Sequence, residues 1–179
     1  MLLHLRRSII AILVLTVICG ICYPLAETGL AQWLFPSQAN GSITPNGSTL
    51  VGQPWKGAQW FHGRPDADDP MATGPTNLGP TSKALEQAVE AAVKAEAALG
   101  VKNPPADLVT TSGSGVDPDI SPAAALIQVD AVARARGLSA AVVRTLVVDH
   151  ESGPEWGFLG DATVNVLQLN EALAKLAAR

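Results

Sequence analysis

SIIAILVLTVICGICYPLA, residues 8 to 26, is a run of 19 residues without a charge, and its reading decides how the rest of the chain is arranged. As a helix it covers roughly 28 Å, about the thickness of a bilayer's hydrocarbon core. Arg6 and Arg7 precede it with no acid nearby, whereas the residues after Phe35 hold 15 acids and 10 bases. The positive-inside bias then places residues 1–7 in the cytoplasm, 8–34 as a transmembrane helix with its outer interfacial end, 35–47 as a linker, and 48–179 as an extracytoplasmic domain. Glu27 falls at the outer end, where Tyr23 and Trp33 supply the amphipathic rings favoured at interfaces, and Pro24 is expected to bend or end the regular helix. A cleaved secretory signal is the competing reading, with MLLHLRR as charged leader and Gly29-Leu30-Ala31 as cleavage site. The apolar run exceeds the roughly 7 to 15 residues of a signal core, so an anchor is preferred; both readings export the domain.

Cys19 and Cys22 are the only cysteines and both lie in this run. No disulfide framework or structural zinc site is therefore available downstream, and the C-x-x-C reads as two small residues of a membrane helix. Neither cysteine follows a small residue as a lipoprotein would require. Thr16 and Gly20 form a small-xxx-small pair, the candidate contact for another transmembrane helix. A net charge of −4 over 179 residues argues against a nucleic-acid partner and leaves room for one modest domain beside the anchor.

Residues 48–61 hold Leu50, Val51, Trp55, Trp60 and Phe61 among glycines, which suits short strands or extended pieces. Pro65 to Pro80 is a long polar loop, a candidate binding surface. A helix follows from a Thr81 or Ser82 cap, with Leu85, Val89, Ala92, Val93 and Glu96 in period and Gly100 as its stop. Leu108–Thr111 is β-prone. Ser121 caps a second helix with Pro122 at its first position and Gly137 at its end. Ser139 starts a third, whose inward face is expected to be Val142, Val143, Leu146, Val147 and His150. Thr163–Val166 suits a strand and Asn170–Ala178 a final helix. The fold class is α+β: one transmembrane helix, then one compact mixed domain with helices slightly predominating.

TTSGSGVDPDISP, residues 110 to 122, is the stretch most loaded for chemistry. Glycine turns ahead of a helix can cradle phosphate, but the Walker pattern needs a lysine that is missing here, and Asp117 and Asp119 would repel phosphate. Ser112 and Ser114 do not fit G-x-S-x-G, so a hydrolase would have to be assembled in space with His62 or His150. His150-Glu151 opens like a zincin motif but lacks the second histidine, and Asp66, Asp68 and Asp69 fail the EF-hand pattern. They read as a solvated acidic loop. No metal site and no catalytic residue is assigned.

Taken in order, Tyr23-Pro24, GSTLVGQ (47–53), WFHGRP (60–65), TNLGP (76–80), SGSGVDPDISP (112–122) and VNVLQLN (164–170) resemble the C subunit of the Kdp-type potassium-transporting ATPase of bacteria, over nearly the whole chain. Trp60, Ser82 and Asp119 depart from that pattern, standing where Tyr, Asn and His are expected. The resemblance implies a non-catalytic, single-span subunit of the cytoplasmic membrane, assembled with the potassium-translocating and ATP-hydrolysing subunits of the pump. It further implies a catalytic chaperone that raises the ATP affinity of the catalytic subunit. The family's glycine-rich motif falls on Ser112, Gly113, Ser114, Gly115, Asp117 and Pro118. No cofactor is expected to be firmly bound, ATP being implied by the resemblance only. If Arg6 and Arg7 are inside, that motif is outside, and any effect on nucleotide affinity is a coupling free energy carried through the pump.

Overall fold

A computed structural model describes residues 2–66 and 73–177, and the chain divides into two compact units, Met1–Ile43 and Thr44–Arg179. In the first, an uninterrupted helix runs over Leu2–Leu34, long and apolar enough to cross a membrane, with none of its described residues buried. It comprises α1 (Leu2–Val17), a π-helical turn (Ile18–Cys22) and α2 (Tyr23–Leu34). The expectation that Pro24 ends the regular helix is corrected. The Pro24 ring excludes an ordinary bond to the carbonyl four residues back, and the helix widens just before it, with the Tyr23 N–H bonding Ile18 O five residues back. The helix stops at Phe35, the residue before Pro36, where the α conformation is disfavoured.

Within the expected linker lie a single turn, α3 (Pro36–Ala39), and a small hairpin of β1 (Ile43–Thr44) and β2 (Gly47–Ser48). The Thr44 hydroxyl donates to Gly47 O at 2.9 Å and fixes the turn.

Among the described residues helix outweighs strand, 54% against 8%. The second unit contains α4 (Lys83–Ala98), β3 (Asp119–Ile120), α5 (Pro122–Arg136), α6 (Ala140–Asp149), β4 (Glu151–Ser152), β5 (Thr163–Asn165) and α7 (Val166–Ala177). The sheet order is β3-β5-β4, antiparallel throughout, with Ile120 opposite Val164 and Ser152 opposite Thr163. Helix α5 is central. Ser121 accepts from Ala124 N–H at 3.1 Å as its cap, and Gly137 ends it in the left-handed region at φ 67°. Ala124, Ala125, Val129 and Val132 face a core completed by Phe61, Leu108, Ile120, Val143, Val147, Val164, Leu169 and Leu173.

Three local expectations change. Leu108 lies in a 3₁₀ turn (Ala106–Leu108) rather than a strand, because the Val109 and Thr110 N–H groups turn back to Ala106 O. Helix α7 begins at Val166, four residues early, since the Asn165 carboxamide accepts from Gln168 N–H at 3.1 Å and lets the strand run straight into the helix. Val142 is exposed, so the inward face of α6 is narrower than expected.

Past β2 the segment to Phe61 forms no ladder, and its end is held by side chains instead. The Asn170 carboxamide, fully buried on α7, accepts from Phe61 N–H and donates to Phe61 O, both at 2.9 Å. Gln128 on α5 does the same for His62, accepting from its N–H at 2.7 Å and donating to its O at 3.0 Å. Replacing Asn170 by Ala leaves a buried N–H and a buried C=O unpaired. It is expected to destabilise the domain by about 2–4 kcal/mol, read as a lowered midpoint of thermal or denaturant unfolding of the full chain in detergent. A loss below about 1 kcal/mol would show that the carboxamide is dispensable.

Candidate functional site

The strip held by Gln128 and Asn170 delivers Arg64 and Asp66 to the serine-glycine loop. The Asp66 carboxylate accepts from Ser112 N–H at 2.7 Å, from the Ser112 hydroxyl at 2.7 Å and from Asp117 N–H at 2.9 Å. Within the loop, Gly115 N–H donates to Ser112 Oγ at 2.9 Å, Val116 N–H to Ser114 Oγ at 3.2 Å and Asp119 N–H to Asp117 Oδ1 at 3.1 Å. The main-chain donors of residues 112, 115, 116, 117 and 119 are thus all satisfied by the chain itself. Arg64 Nε pairs with Asp117 Oδ2 at 3.0 Å, and its Nη1 donates to Thr110 O at 3.3 Å.

Glycine is required where the loop meets other backbone. A Cβ on Gly52 would sit 2.6 Å from Asp117 O, and one on Gly115, already at φ 73°, would sit 2.7 Å from Gly74 O. Close packing is confirmed by Gly52 N–H to Val116 O at 2.8 Å and Gly74 N–H to Ser114 O at 2.7 Å. From the other side Asn165 donates to Thr49 O at 2.9 Å and to Asp119 Oδ1 at 2.8 Å, and Val166 N–H donates to Pro118 O at 3.0 Å.

Asp66 is therefore part of a clasp rather than of a solvated acidic loop, while Asp68 and Asp69 lie outside the described residues. Asp107, Asp117, Asp119 and Asp161 line the groove beside the clasp. Burial, opposed by the Asn165 hydrogen bond and reinforced by the charge of Asp117, raises the Asp119 carboxyl above its usual range. The arrangement gathers four carboxylates beside the clasp, with Arg64 also lining the groove.

The histidines and the loop serines make separate contacts. His62 Nε2 donates to Gly57 O at 3.0 Å, and His150 Nδ1 donates to Leu146 O at 2.8 Å. Ser112 is held by Asp66. On the N-terminal helix a Cβ at Gly20 would lie 3.9 Å from Thr16 Cγ2, so Thr16 and Gly20 share one exposed face as their spacing suggests. Among the described residues no three His, Cys, Asp or Glu side chains gather as a metal-binding group.

Residues 5–175 match the family model described as K+-transporting ATPase, c chain. The chain belongs to the KdpC family. A potassium-transporting ATPase KdpC subunit of Sorangium cellulosum is 50% identical over 186 residues, covering 97% of this chain and 98% of its own. That of Methylorubrum populi is 46% identical over 204 residues, covering all of both chains. That of Acidobacterium capsulatum is 44% identical over 182 residues, covering 97% and 98%. In this KdpC chain four of the six blocks that carry the resemblance converge on the clasp: Thr49 and Gly52 from GSTLVGQ, Arg64 from WFHGRP, residues 112–119 from SGSGVDPDISP, and Asn165 and Val166 from VNVLQLN.

One carboxylate was legible only as a position. Glu96 falls on the inward face of α4, following Leu85, Val89 and Ala92, and is 7% exposed with its Oε2 unbonded. It lines a cavity of about 180 Å³ with Trp55, His62 and Arg64. Desolvation pushes its carboxyl up to about 7. The folded state holds the proton more tightly than the unfolded chain, so this stability is complete below about pH 4.5 and is lost as pH rises through about 7. Between pH 5 and pH 8.5 the wild-type domain is expected to lose on the order of 2 kcal/mol more than a Glu96→Gln variant. Parallel pH profiles of thermal unfolding would contradict this. Replacing Asp66 by Ala strands the Ser112 and Asp117 N–H groups, with an expected cost of about 2–3 kcal/mol and faster amide exchange confined to residues 112–117. Unchanged exchange there would refute the clasp.

Proposed function

We propose that this chain is the accessory subunit of an ATP-driven, high-affinity potassium import complex, held in the cytoplasmic membrane by one span with residues 1–7 inside and 48–179 outside. Its partners in this reading are the potassium-translocating and ATP-hydrolysing subunits, and it supports their assembly without carrying a catalytic residue. The observation that carries the reading is the apolar helix Leu2–Leu34, none of whose described residues is buried, in a chain matched to the family from residue 5 to residue 175. The exposed Thr16–Gly20 face is the proposed seat for a neighbouring transmembrane helix.

A catalytic-chaperone effect, raising the ATP affinity of the catalytic subunit, belongs to this proposal as a coupling free energy through the complex. Direct contact of ATP with residues 112–118 does not. The N–H groups of residues 112, 115, 116 and 117 are taken by Asp66 and by the loop's own hydroxyls, and four aspartates beside Arg64 line the neighbouring groove. An exported hydrolase built on His62 or His150 is set aside, because among the described residues neither imidazole hydrogen-bonds a serine and Ser112 is engaged by Asp66.

Two measurements test the proposal. Protease added to intact spheroplasts is expected to digest residues 48–179, and digestion only after lysis would reverse the orientation. For the loop, Gly113→Glu is informative because a Cβ there meets nothing within 4 Å, so the side chain has room, and an unchanged unfolding midpoint is checked alongside. The KM for ATP of the assembled pump is expected to stay within about twofold of wild type, whereas removing the whole chain raises it. A tenfold rise from Gly113→Glu alone would place nucleotide at the loop.

A further inference from the structure

The connection between β4 and β5 ends in a tip turned away from the core. Trp156 is 83% exposed, Phe158 74%, and Leu159 about half. The tip is built rather than loose. Glu155 and Leu159 exchange both main-chain hydrogen bonds, at 2.9 and 3.0 Å, while Gly157 N–H reaches Pro154 O at 2.9 Å and Phe158 N–H reaches Glu155 O at 3.2 Å. Trp156 itself is left-handed, at φ 52°, followed by Gly157 at φ 83°. That conformation is unfavourable for a bulky side chain, and a connection that merely joined two strands would carry Gly or Asn there. Two large rings are thus held in water by an ordered, strained loop, which is how aromatic anchors at protein interfaces are presented.

We propose that Trp156 and Phe158 are the anchors of a docking site, inserting into an apolar socket on another subunit of the potassium pump. Charge selects protein over lipid as the partner. Asp149, Glu151, Glu155 and Asp161 are exposed along the arm that carries the tip, with no Lys or Arg between residues 149 and 161. An anionic bilayer surface repels such an arm, whereas a socket with a basic rim attracts it. The inference rests on the subunit reading above and extends it to a particular contact.

The test uses the whole complex in native membranes, with a benzophenone amino acid in place of Phe158. Irradiation is expected to yield an adduct with another pump polypeptide; an adduct with lipid alone, or none, overturns the inference. In parallel, Trp156→Gly relieves the left-handed strain, so the unfolding midpoint is expected not to fall, while co-purification with the pump in detergent drops at least about tenfold. Wild-type co-purification with an undiminished Trp156→Gly variant overturns this contact alone. Absence of wild-type co-purification overturns the subunit reading and this inference with it.

Discussion

Phe61 to Asp66 crosses the domain as an extended strip without a β partner, and the surrounding elements are arranged to satisfy its main chain. A buried peptide group must find partners, and here no strand supplies them. Asn170 and Gln128 do so from two different helices, each donating and accepting at one residue. A carboxamide does both at once through two separate atoms, whereas an ionised carboxylate cannot donate. The bonds fix how α5 and α7 stand about Phe61, and so which core residues meet. At its far end the same strip hands Arg64 and Asp66 to the serine-glycine loop.

That loop has the composition of an anion cradle and the wiring of a joint. Its donors converge, as phosphate-binding turns do, but on a carboxylate carried by the chain. The glycines at 52 and 115 permit backbone to lie on backbone, a steric need that involves no ligand. Motif density here reflects the difficulty of joining short, irregular segments around a small sheet. The surfaces proposed for partners lie elsewhere, on the long apolar helix and on the aromatic tip between β4 and β5.

Much of the fold could be read from residue types because several signals are local. Ser121-Pro122 and Gly137 bound α5, Ser139 caps α6, and the uncharged run from Ser8 announces the long helix. What escaped was tertiary. Asp66 sits in a run of acids that looks solvated, and only a turn at residues 112–117, 46 positions or more away, gives it a partner. Pro24 usually ends a helix, yet one π turn accommodates it. Asn165 closes a strand and caps a helix in one step, so no loop marked the start of α7. Glu96 kept the apolar period of its helix, but periodicity cannot say that a carboxylate will be buried there with one oxygen unbonded. Trp156 carried no pattern at all; its exposure and its left-handed backbone are properties of the folded tip.

The central claim is that residues 112–117 form a structural joint closed by the chain's own carboxylate. Residue-resolved amide hydrogen exchange on the assembled pump, with and without ATP, tests it most directly. The Ser112 and Asp117 amides should be strongly protected in both conditions and to the same degree. Rapid exchange without nucleotide that slows when ATP is added would contradict the account.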